Sequence, residues 1–186
     1  MATSQNAPLE RFLASQRCKQ IKPSVAGKRV LDFGCGLNAW NARSIQPICQ
    51  DVHGVDASLV ATKTIDGITL HQSLDELQGN TYDVIIALAV FEHIKPMALR
   101  ELLQELMQFS VPTTTIVGTV PSTRARRVLE FLSYRLGLID RSQVRDHKVY
   151  YDDLWLSEII EGTGWRLKSY KRFQLGMNIF FEIEQV

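Results

Sequence analysis

The chain has 186 residues, of which 45% are hydrophobic and 22% charged, and its formal net charge is +1. This composition is typical of one globular domain, here 1–186, and does not indicate a general nucleic-acid or membrane binder. The longest apolar run, VIIALAVF, is too short to span a bilayer, and the N-terminus lacks the apolar core of a signal peptide. Three cysteines without CxxC spacing predict neither a disulfide framework nor a metal site, so we expect a cytoplasmic protein.

The first half of the chain alternates between helix and strand patterns. Apolar residues at helical spacing predict a helix over 8–20, and KRVLDF that follows is typical of a buried strand. A glycine-containing loop leads into a helix over 38–45, and DVHGVD (51–56) predicts a second strand. Ser58 is a suitable N-cap for a short helix, and GITLHQ (67–72) predicts a third, weaker strand.

The second half continues the alternation and then changes. TYDVIIALAV (81–90) is the strongest strand pattern, and a helix over 96–109 carries a stripe of leucines. TTTIVGTV predicts a fifth strand, and a helix over 151–161 follows later in the chain. Two final strands, 165–173 and 177–185, are joined by a connection so short that they must be antiparallel.

Strands that alternate with helices predict an α/β fold of the doubly wound, Rossmann-like type. We expect a mostly parallel sheet of seven strands, with helices on both faces and a C-terminal antiparallel hairpin. Residues 1–27 would form a helical cap, and 122–148 an inserted lid-like segment. Right-handed crossovers then place the ligand crevice at the carboxyl ends of the strands.

The loop after the first strand, LDFGCGLNAW, has the features of a nucleotide-binding turn. Gly34 and Gly36 allow a sharp turn and a close backbone approach to a ligand, and the following helix offers unpaired N–H groups. Asp56 ends the second strand twenty residues after Gly36, where its carboxylate can accept both hydroxyls of a ribose. Because GCGLNA also satisfies the dinucleotide pattern, an NAD(P)-dependent oxidoreductase fits these residues too.

Asp32 favours a ligand with an ammonium group over a dinucleotide. A carboxylate beneath the loop would repel a pyrophosphate but attract a ligand that carries an ammonium group. At this point the chain resembles the class I S-adenosylmethionine-dependent methyltransferases. VLDFGCG (30–36) resembles their first motif and GVDAS (54–58) their second. YDVIIALAVFEHI (82–94) resembles the fourth-strand block that ends in Glu-His in the small-molecule branch.

The resemblance implies S-adenosylmethionine as cofactor, S-adenosylhomocysteine as product and a set of cofactor-binding residues. Asp32 would hold the amino group of the methionine part, directly or through water, and Asp56 the ribose hydroxyls. The remaining implied positions line the cofactor through their backbone or pack beside it: Gly34, Cys35, Gly36, Ala57, Leu88 and Ala89.

Two positions depart from the family pattern. Asn38 stands where the family often has a third glycine, and we expect it to preserve the turn because Asn tolerates a left-handed conformation. Ser73, with Leu74 beside it, stands where the family often has an acid that contacts adenine; Asp75 is the alternative if the alignment shifts.

Three side chains are candidates for catalysis. His147, in the basic segment between the fifth strand and the last helix, could remove a proton from an attacking hydroxyl or amine. His93 and Glu92, at the end of the fourth-strand block, are the other candidates, and a metal site at this pair is not expected. The remaining histidines, His53 and His71, lie within strands and are predicted to be structural.

These patterns predict methyl transfer to a small or medium-sized acceptor, which would be a metabolite, a lipid or a saccharide. The alternatives are an NAD(P)-dependent oxidoreductase and a non-catalytic cofactor-binding domain. No nucleic-acid-binding appendage is present in the sequence, so a nucleic-acid acceptor is not expected. The patterns do not specify the methylated atom or the oligomeric state.

Overall fold

The structure is a computed structural model of the chain that describes residues 8–123 and 153–186. Side chains are described for residues 14–123 and 156–186. Its helices and strands are α1 (Pro8–Val25), β1 (Arg29–Phe33), α2 (Trp40–Ile45), β2 (Asp51–Val55), β3 (Lys63–Ile65), β4 (Ile68–His71), β5 (Tyr82–Leu88), α3 (Pro96–Leu106), β6 (Ser110–Pro121), α4 (Asp153–Ile160), β7 (Trp165–Phe173) and β8 (Asn178–Gln185). Short 3-10 turns lie at Gln46–Ile48, Leu74–Leu77, Phe91–His93 and Met107–Phe109.

One sheet contains all the described strands, in the order β3-β4-β2-β1-β5-β6-β8-β7. The five strands from β4 to β6 in this order run parallel, whereas β3 at one edge and the β8-β7 pair at the other are antiparallel to their neighbours. The strand order reverses between β1 and β5, because β2 and β4 lie on one side of β1 and β5 and β6 on the other. Ligands of doubly wound sheets bind at such a reversal, beyond the carboxyl ends of the strands.

Helices cover both faces of the sheet, as predicted. On one face, α1 and α2 bury Cys18, Ile21 and Ala42 against β1 and β5. On the other face, the leucine stripe of α3 and the apolar side of α4 share a core with β5, β6 and β8. Because both faces of β5 are buried, its continuous apolar sequence is explained by its position in the sheet centre.

The predicted sheet is confirmed in its architecture and C-terminal hairpin, but the prediction of seven strands is wrong, because β3 makes eight. β3 and β4 form a hairpin around Asp66 and Gly67, which both have positive φ angles of 51° and 81°. Asp-Gly is a favoured pair for such a two-residue turn. The helix predicted from Ser58 is also wrong, because Ser58 donates from both its N–H and its hydroxyl to Asp56 and forms a turn.

Some predicted features lie elsewhere or outside the described residues. The first helix continues beyond residue 20 to Val25, and its inner side packs on the sheet beside α2. Residues 124–152, which include His147 and most of the predicted lid-like segment, lie outside the described residues, so the domain layout stays a prediction. Among the described helices, none is both long and apolar enough to cross a membrane.

Candidate cofactor site

The loop between β1 and α2 is held against β2 by backbone hydrogen bonds. The N–H groups of Gly34 and Cys35 both donate to the carbonyl oxygen of Val55, at 2.8 and 3.2 Å. Gly34 and Gly36 have φ angles of 76° and 68°, a region that glycine enters without steric cost. The chain therefore turns sharply at the carboxyl end of β1 and beside the end of β2.

The two glycines of this loop have different surroundings. A Cβ atom built on Gly34 would lie 2.6 Å from Cγ2 of Val90, so this glycine allows the loop to pack against the segment after β5. A Cβ atom built on Gly36 would have no described heavy atom within 4 Å. The backbone at Gly36 is thus open, as a loop must be to let a ligand approach closely.

The expected left-handed residue in this turn is not Asn38 but Ala39. Ala39 has φ 46° and ψ 42°, directly before the first residue of α2, while the φ angle of Asn38 is not positive. The expectation for Asn38 is therefore wrong in this respect. The buried methyl group of Ala39 packs with the core that α2 covers, which compensates for an unusual conformation in a residue with a Cβ atom.

Asp32 lies in β1 with no exposed surface, beneath the start of α2. Its Oδ2 accepts a hydrogen bond from the N–H of Ala42 at 3.0 Å. Oδ1 is also buried, and no described residue donates to it. Buried carboxyl oxygens nearly always have partners, so the unpartnered Oδ1 beneath the glycine loop is free to accept from a further donor.

The surroundings of Asp32 favour its protonated form. Burial raises the pKa of Asp32 to about 8, against the lowering effect of the Ala42 N–H and with a further raising effect of the Asp56 carboxylate. The two nearby thiols, Cys18 and Cys35, are buried as well, and burial also raises their pKa values, so neither is a ready nucleophile.

Asp56 follows β2 and has the opposite environment. Its Oδ2 accepts from the N–H of Gly36 at 2.7 Å, and its Oδ1 accepts from the N–H and the hydroxyl of Ser58 at 2.8 and 2.5 Å. Asp56 is partly exposed and connects the glycine loop to the end of β2. A carboxylate has about four acceptor positions, so one remains, which suffices for one ribose hydroxyl rather than the expected two.

The other cofactor-binding candidates lie around this loop. Ala89 has φ 58° and donates its N–H to Thr119, which turns the chain at the end of β5. Ser73 has an extended backbone directly before the 3-10 turn at Leu74–Leu77. The side chains of Cys35, Leu74 and Leu88 are buried in the two cores, whereas Ala57 and Asn38 are exposed. Only the backbones of the three buried residues are therefore available to a ligand.

Glu92 is the buried titratable group at the end of β5. The side chain of this residue in the 3-10 turn is 1% exposed, and no described residue donates to its Oε2. Burial raises the pKa of Glu92 to about 7, while its own N–H and the charge of Arg17 on α1 lower it. His93 is partly exposed, and its N–H donates to the carbonyl oxygen of Val90.

The two strand histidines pack against each other and have structural partners, and the carbonyl oxygen of His71 accepts from the N–H of Asp56 at 3.0 Å. His53 is hydrogen-bonded through Nδ1 to the hydroxyl of Tyr82 at 2.9 Å, and its ring centroid is 5.5 Å from that of His71. Both therefore pack within the sheet. In the described part of the chain, no three His, Cys, Asp or Glu side chains converge to hold a metal ion. All three cysteines are described, and none forms a disulfide.

Three contacts that support the loop were not deduced from the sequence. Val90 packs on Gly34, Ser58 fixes Asp56, and Nζ of Lys63 donates to the carbonyl oxygen of Leu37 at 2.9 Å. Asp-x-Ser is a turn pattern and could have indicated the role of Ser58. The contacts of Val90 and Lys63 depend on tertiary packing and have no local sequence signal.

Comparison with protein families decides what this arrangement is. Residues 7–170 match the model of a family described as a methyltransferase domain. The chain belongs to this family. The methyltransferase gave no match in the comparison with curated proteins.

Solved structures share the fold of the methyltransferase at low sequence identity. The DhpI complex with S-adenosylhomocysteine has a TM-score of 0.70 at 12% identity, over 98% of this chain and 88% of that one. Magnesium protoporphyrin IX methyltransferase from Synechocystis has a TM-score of 0.61 at 16% identity, over 95% of this chain and 83% of that one. The 1,6-didemethyltoxoflavin-N1-methyltransferase of Burkholderia thailandensis has a TM-score of 0.64 at 11% identity, over 98% of this chain and 80% of that one.

The family match and the shared fold confirm the prediction of a class I S-adenosylmethionine-dependent methyltransferase. They overturn the alternative of an NAD(P)-dependent oxidoreductase. The residues present also fit the cofactor, because the unpartnered Oδ1 of Asp32 suits an ammonium group and the open backbone at Gly36 suits a close ligand.

The raised pKa of Asp32 makes the stability of the unliganded methyltransferase depend on pH. Between the ordinary value of 3.8 and about 8, the folded chain holds a proton that the unfolded chain has lost, so Asp32 destabilises the fold increasingly as pH rises. Asp32→Asn removes this penalty and keeps an oxygen for the Ala42 N–H. We expect its free energy of unfolding in urea to exceed that of the wild type by about 4 kcal/mol at pH 8.5, since about three pH units separate pH 5 from the raised pKa of Asp32.

At pH 5 the two unfolding free energies should nearly coincide. Asp66→Asn, in the exposed β3-β4 turn, is the matched control and should show little pH-dependent difference. A difference between Asp32→Asn and the wild type that does not change with pH would contradict this assignment.

Proposed function

We propose that this methyltransferase transfers the methyl group of S-adenosylmethionine to a small or medium-sized acceptor, which is a metabolite, a lipid or a saccharide. The observation that carries the proposal is the pair of acids at the glycine loop. Asp32 is buried with one unpartnered oxygen, and Asp56 is bound to the open Gly36 backbone. This pair suits a ligand with an ammonium group at one end and sugar hydroxyls further along.

The cofactor-binding residues act mainly by positioning. Asp32 would hold the amino group, Asp56 would accept from a ribose hydroxyl, and the backbone of Gly34, Cys35 and Gly36 would line the ligand between them. Ala57 and the backbone of Ser73 and Leu74 would border the adenine, and Leu88 and Ala89 the methionine part. Asn38 would complete the turn. When bound, S-adenosylmethionine supplies a methyl group on a positively charged sulfur, which is already reactive towards a nucleophile.

Catalysis then requires an acceptor held in line with that methyl group, and positioning of this kind can lower a barrier by roughly 7–11 kcal/mol. Where the acceptor is a hydroxyl or a protonated amine, a base must also remove its proton. Glu92, at the end of β5, is the described candidate with a pKa close to neutrality. His93 is its neighbour in the chain, and His147 stays a candidate from the sequence alone.

Two fold neighbours support the proposed acceptor class. One acts on magnesium protoporphyrin IX and the other on 1,6-didemethyltoxoflavin, and both are small molecules. A cytoplasmic location stays a prediction from the cysteine pattern, and it agrees with an intracellular cofactor.

The chemical class of the acceptor can be tested with S-adenosylmethionine that carries a labelled methyl group. The methyltransferase is incubated with fractionated cell extract, and label is measured in metabolites, lipids, saccharides, proteins and nucleic acids. We expect label in one of the first three fractions. Label confined to proteins or nucleic acids would contradict the proposed acceptor class, and cofactor binding without transfer to any fraction would favour a non-catalytic domain.

Gly36 provides a test of the cofactor site. Gly36→Ala places a methyl group in the space that the ligand must occupy, and we expect at least a tenfold loss of affinity for S-adenosylhomocysteine by calorimetry. Gly27→Ala is the matched control, because Gly27 has φ 69°, nearly that of Gly36, and equally open surroundings. Both variants should lose about 1 kcal/mol of stability from strain. Equal loss of affinity in the two variants would contradict the role of Gly36.

Glu92→Gln tests whether Glu92 is the base that removes the acceptor's proton. We expect the rate of label transfer at saturating cofactor to fall by about 10²–10⁴-fold, and the decrease of the wild-type rate below about pH 7 to disappear. Glu101→Gln changes an exposed carboxylate on α3 and should leave both the rate and its pH dependence unaltered. A Glu92→Gln variant that is slower but keeps the wild-type pH profile would contradict proton removal by Glu92.

A further inference from the structure

We propose that the cofactor site exchanges a proton for its ligand: the ligand's ammonium group binds to Asp32 while Asp32 loses its proton to solvent. Affinity for ligands of this site would then depend on the amino group and on pH. This inference rests on the proposed function, since it concerns the same site. It adds a chemical step in binding that the family match does not supply.

The geometry around Asp32 carries the inference. The carboxyl group is completely buried, and its one hydrogen-bond donor, the N–H of Ala42, is uncharged. The titratable groups that interact electrostatically with it are the Cys18 thiol on α1, the Cys35 thiol in the loop and the Asp56 carboxylate after β2. Lys63 on β3 acts on the Cys35 thiol, and none of the described ion pairs includes Asp32.

Two cations on α1, Arg17 and Lys22, act on groups near this site. The charge of Arg17 lowers the pKa values of Cys18 and Glu92, and that of Lys22 lowers the pKa of Cys18, whereas the pKa of Asp32 is set by its burial, the Ala42 N–H and the Asp56 carboxylate. A buried carboxylate without a cation, next to a second carboxylate, is unfavourable, so Asp32 keeps its proton in the unliganded chain. The raised pKa of about 8 agrees with this conclusion.

Binding of an ammonium group reverses this preference, because the ligand provides the missing cation within the buried site. No covalent bond to carbon, nitrogen or sulfur changes. The oxygen–hydrogen bond of the Asp32 carboxyl breaks, the proton leaves to buffer, and the carboxylate pairs with the ammonium directly or through one water. One proton is therefore released for each ligand bound near neutral pH.

This exchange predicts a pH-dependent affinity. Where unliganded Asp32 is protonated and the ligand's amine is charged, each unit decrease in pH should weaken binding by about tenfold. The range from about pH 6 to 7 satisfies both conditions, since free α-amino groups titrate at about 7.7–8.0. A nucleoside ligand without the amino group has no charge to exchange and should bind with an affinity independent of pH.

Calorimetry with two ligands tests the inference on the wild-type methyltransferase. S-adenosylhomocysteine carries the amino group, and 5′-methylthioadenosine lacks it. Titrations in two buffers with different ionisation enthalpies give the number of protons released. We expect about one proton and about tenfold weaker binding at pH 6 than at pH 7 for S-adenosylhomocysteine, and neither effect for 5′-methylthioadenosine.

Asp32→Asn assigns the proton to this residue. The variant should bind S-adenosylhomocysteine more weakly and release no proton, whereas Asp66→Asn should behave as the wild type. Should Asp32→Asn fail to fold, the comparison of the two ligands on the wild type decides alone.

The outcomes separate the inference from the proposed function. Binding of S-adenosylhomocysteine without proton release, or proton release that persists in Asp32→Asn, overturns the exchange and leaves the proposed function intact. The same release with both ligands also overturns it. Absence of any binding of S-adenosylhomocysteine overturns both.

Discussion

The site depends on how the chain turns at the carboxyl end of β1. The turn must bring the backbone of Gly36 to the end of β2 and, at the same time, place α2 over the Asp32 side chain. Two glycines, a left-handed alanine and two hydrogen bonds to Val55 make this geometry possible. A change in the conformation of this loop would expose Asp32 to solvent. The conformation of the turn therefore also determines the protonation of the buried acid.

The two acids at this loop show how the same side chain acquires different properties. Asp56 accepts three hydrogen bonds and stays partly exposed, which suits a group that is ionised and shares its remaining acceptor position with a sugar. Asp32 accepts one bond and is enclosed, so its charged form needs a partner from outside the chain. Such a group lowers the stability of the unliganded fold, as functional sites often do.

Much of this arrangement could be deduced from the sequence, because it depends on local patterns. The continuous apolar run of β5, the glycines after β1 and the acid after β2 all have local signatures, and they led to the fold and to the residues of the loop. The β3-β4 hairpin also had a signature, Asp66-Gly67 between alternating residues, but the weak strand pattern concealed it. The burial of Glu92 and the contact of Val90 with Gly34 arise from packing between distant segments, and no local pattern encodes them.

The central claim is that Asp32 and Asp56 hold the two ends of one ligand, and a crystal structure of the methyltransferase with S-adenosylhomocysteine tests it most directly. We predict the ligand's amino nitrogen within about 3 Å of Asp32 Oδ1, or one water away from it, with a ribose hydroxyl on Asp56 and the backbone of Gly36 against the ligand. A ligand bound elsewhere, or bound at this loop with its amino group away from Asp32, would contradict the account.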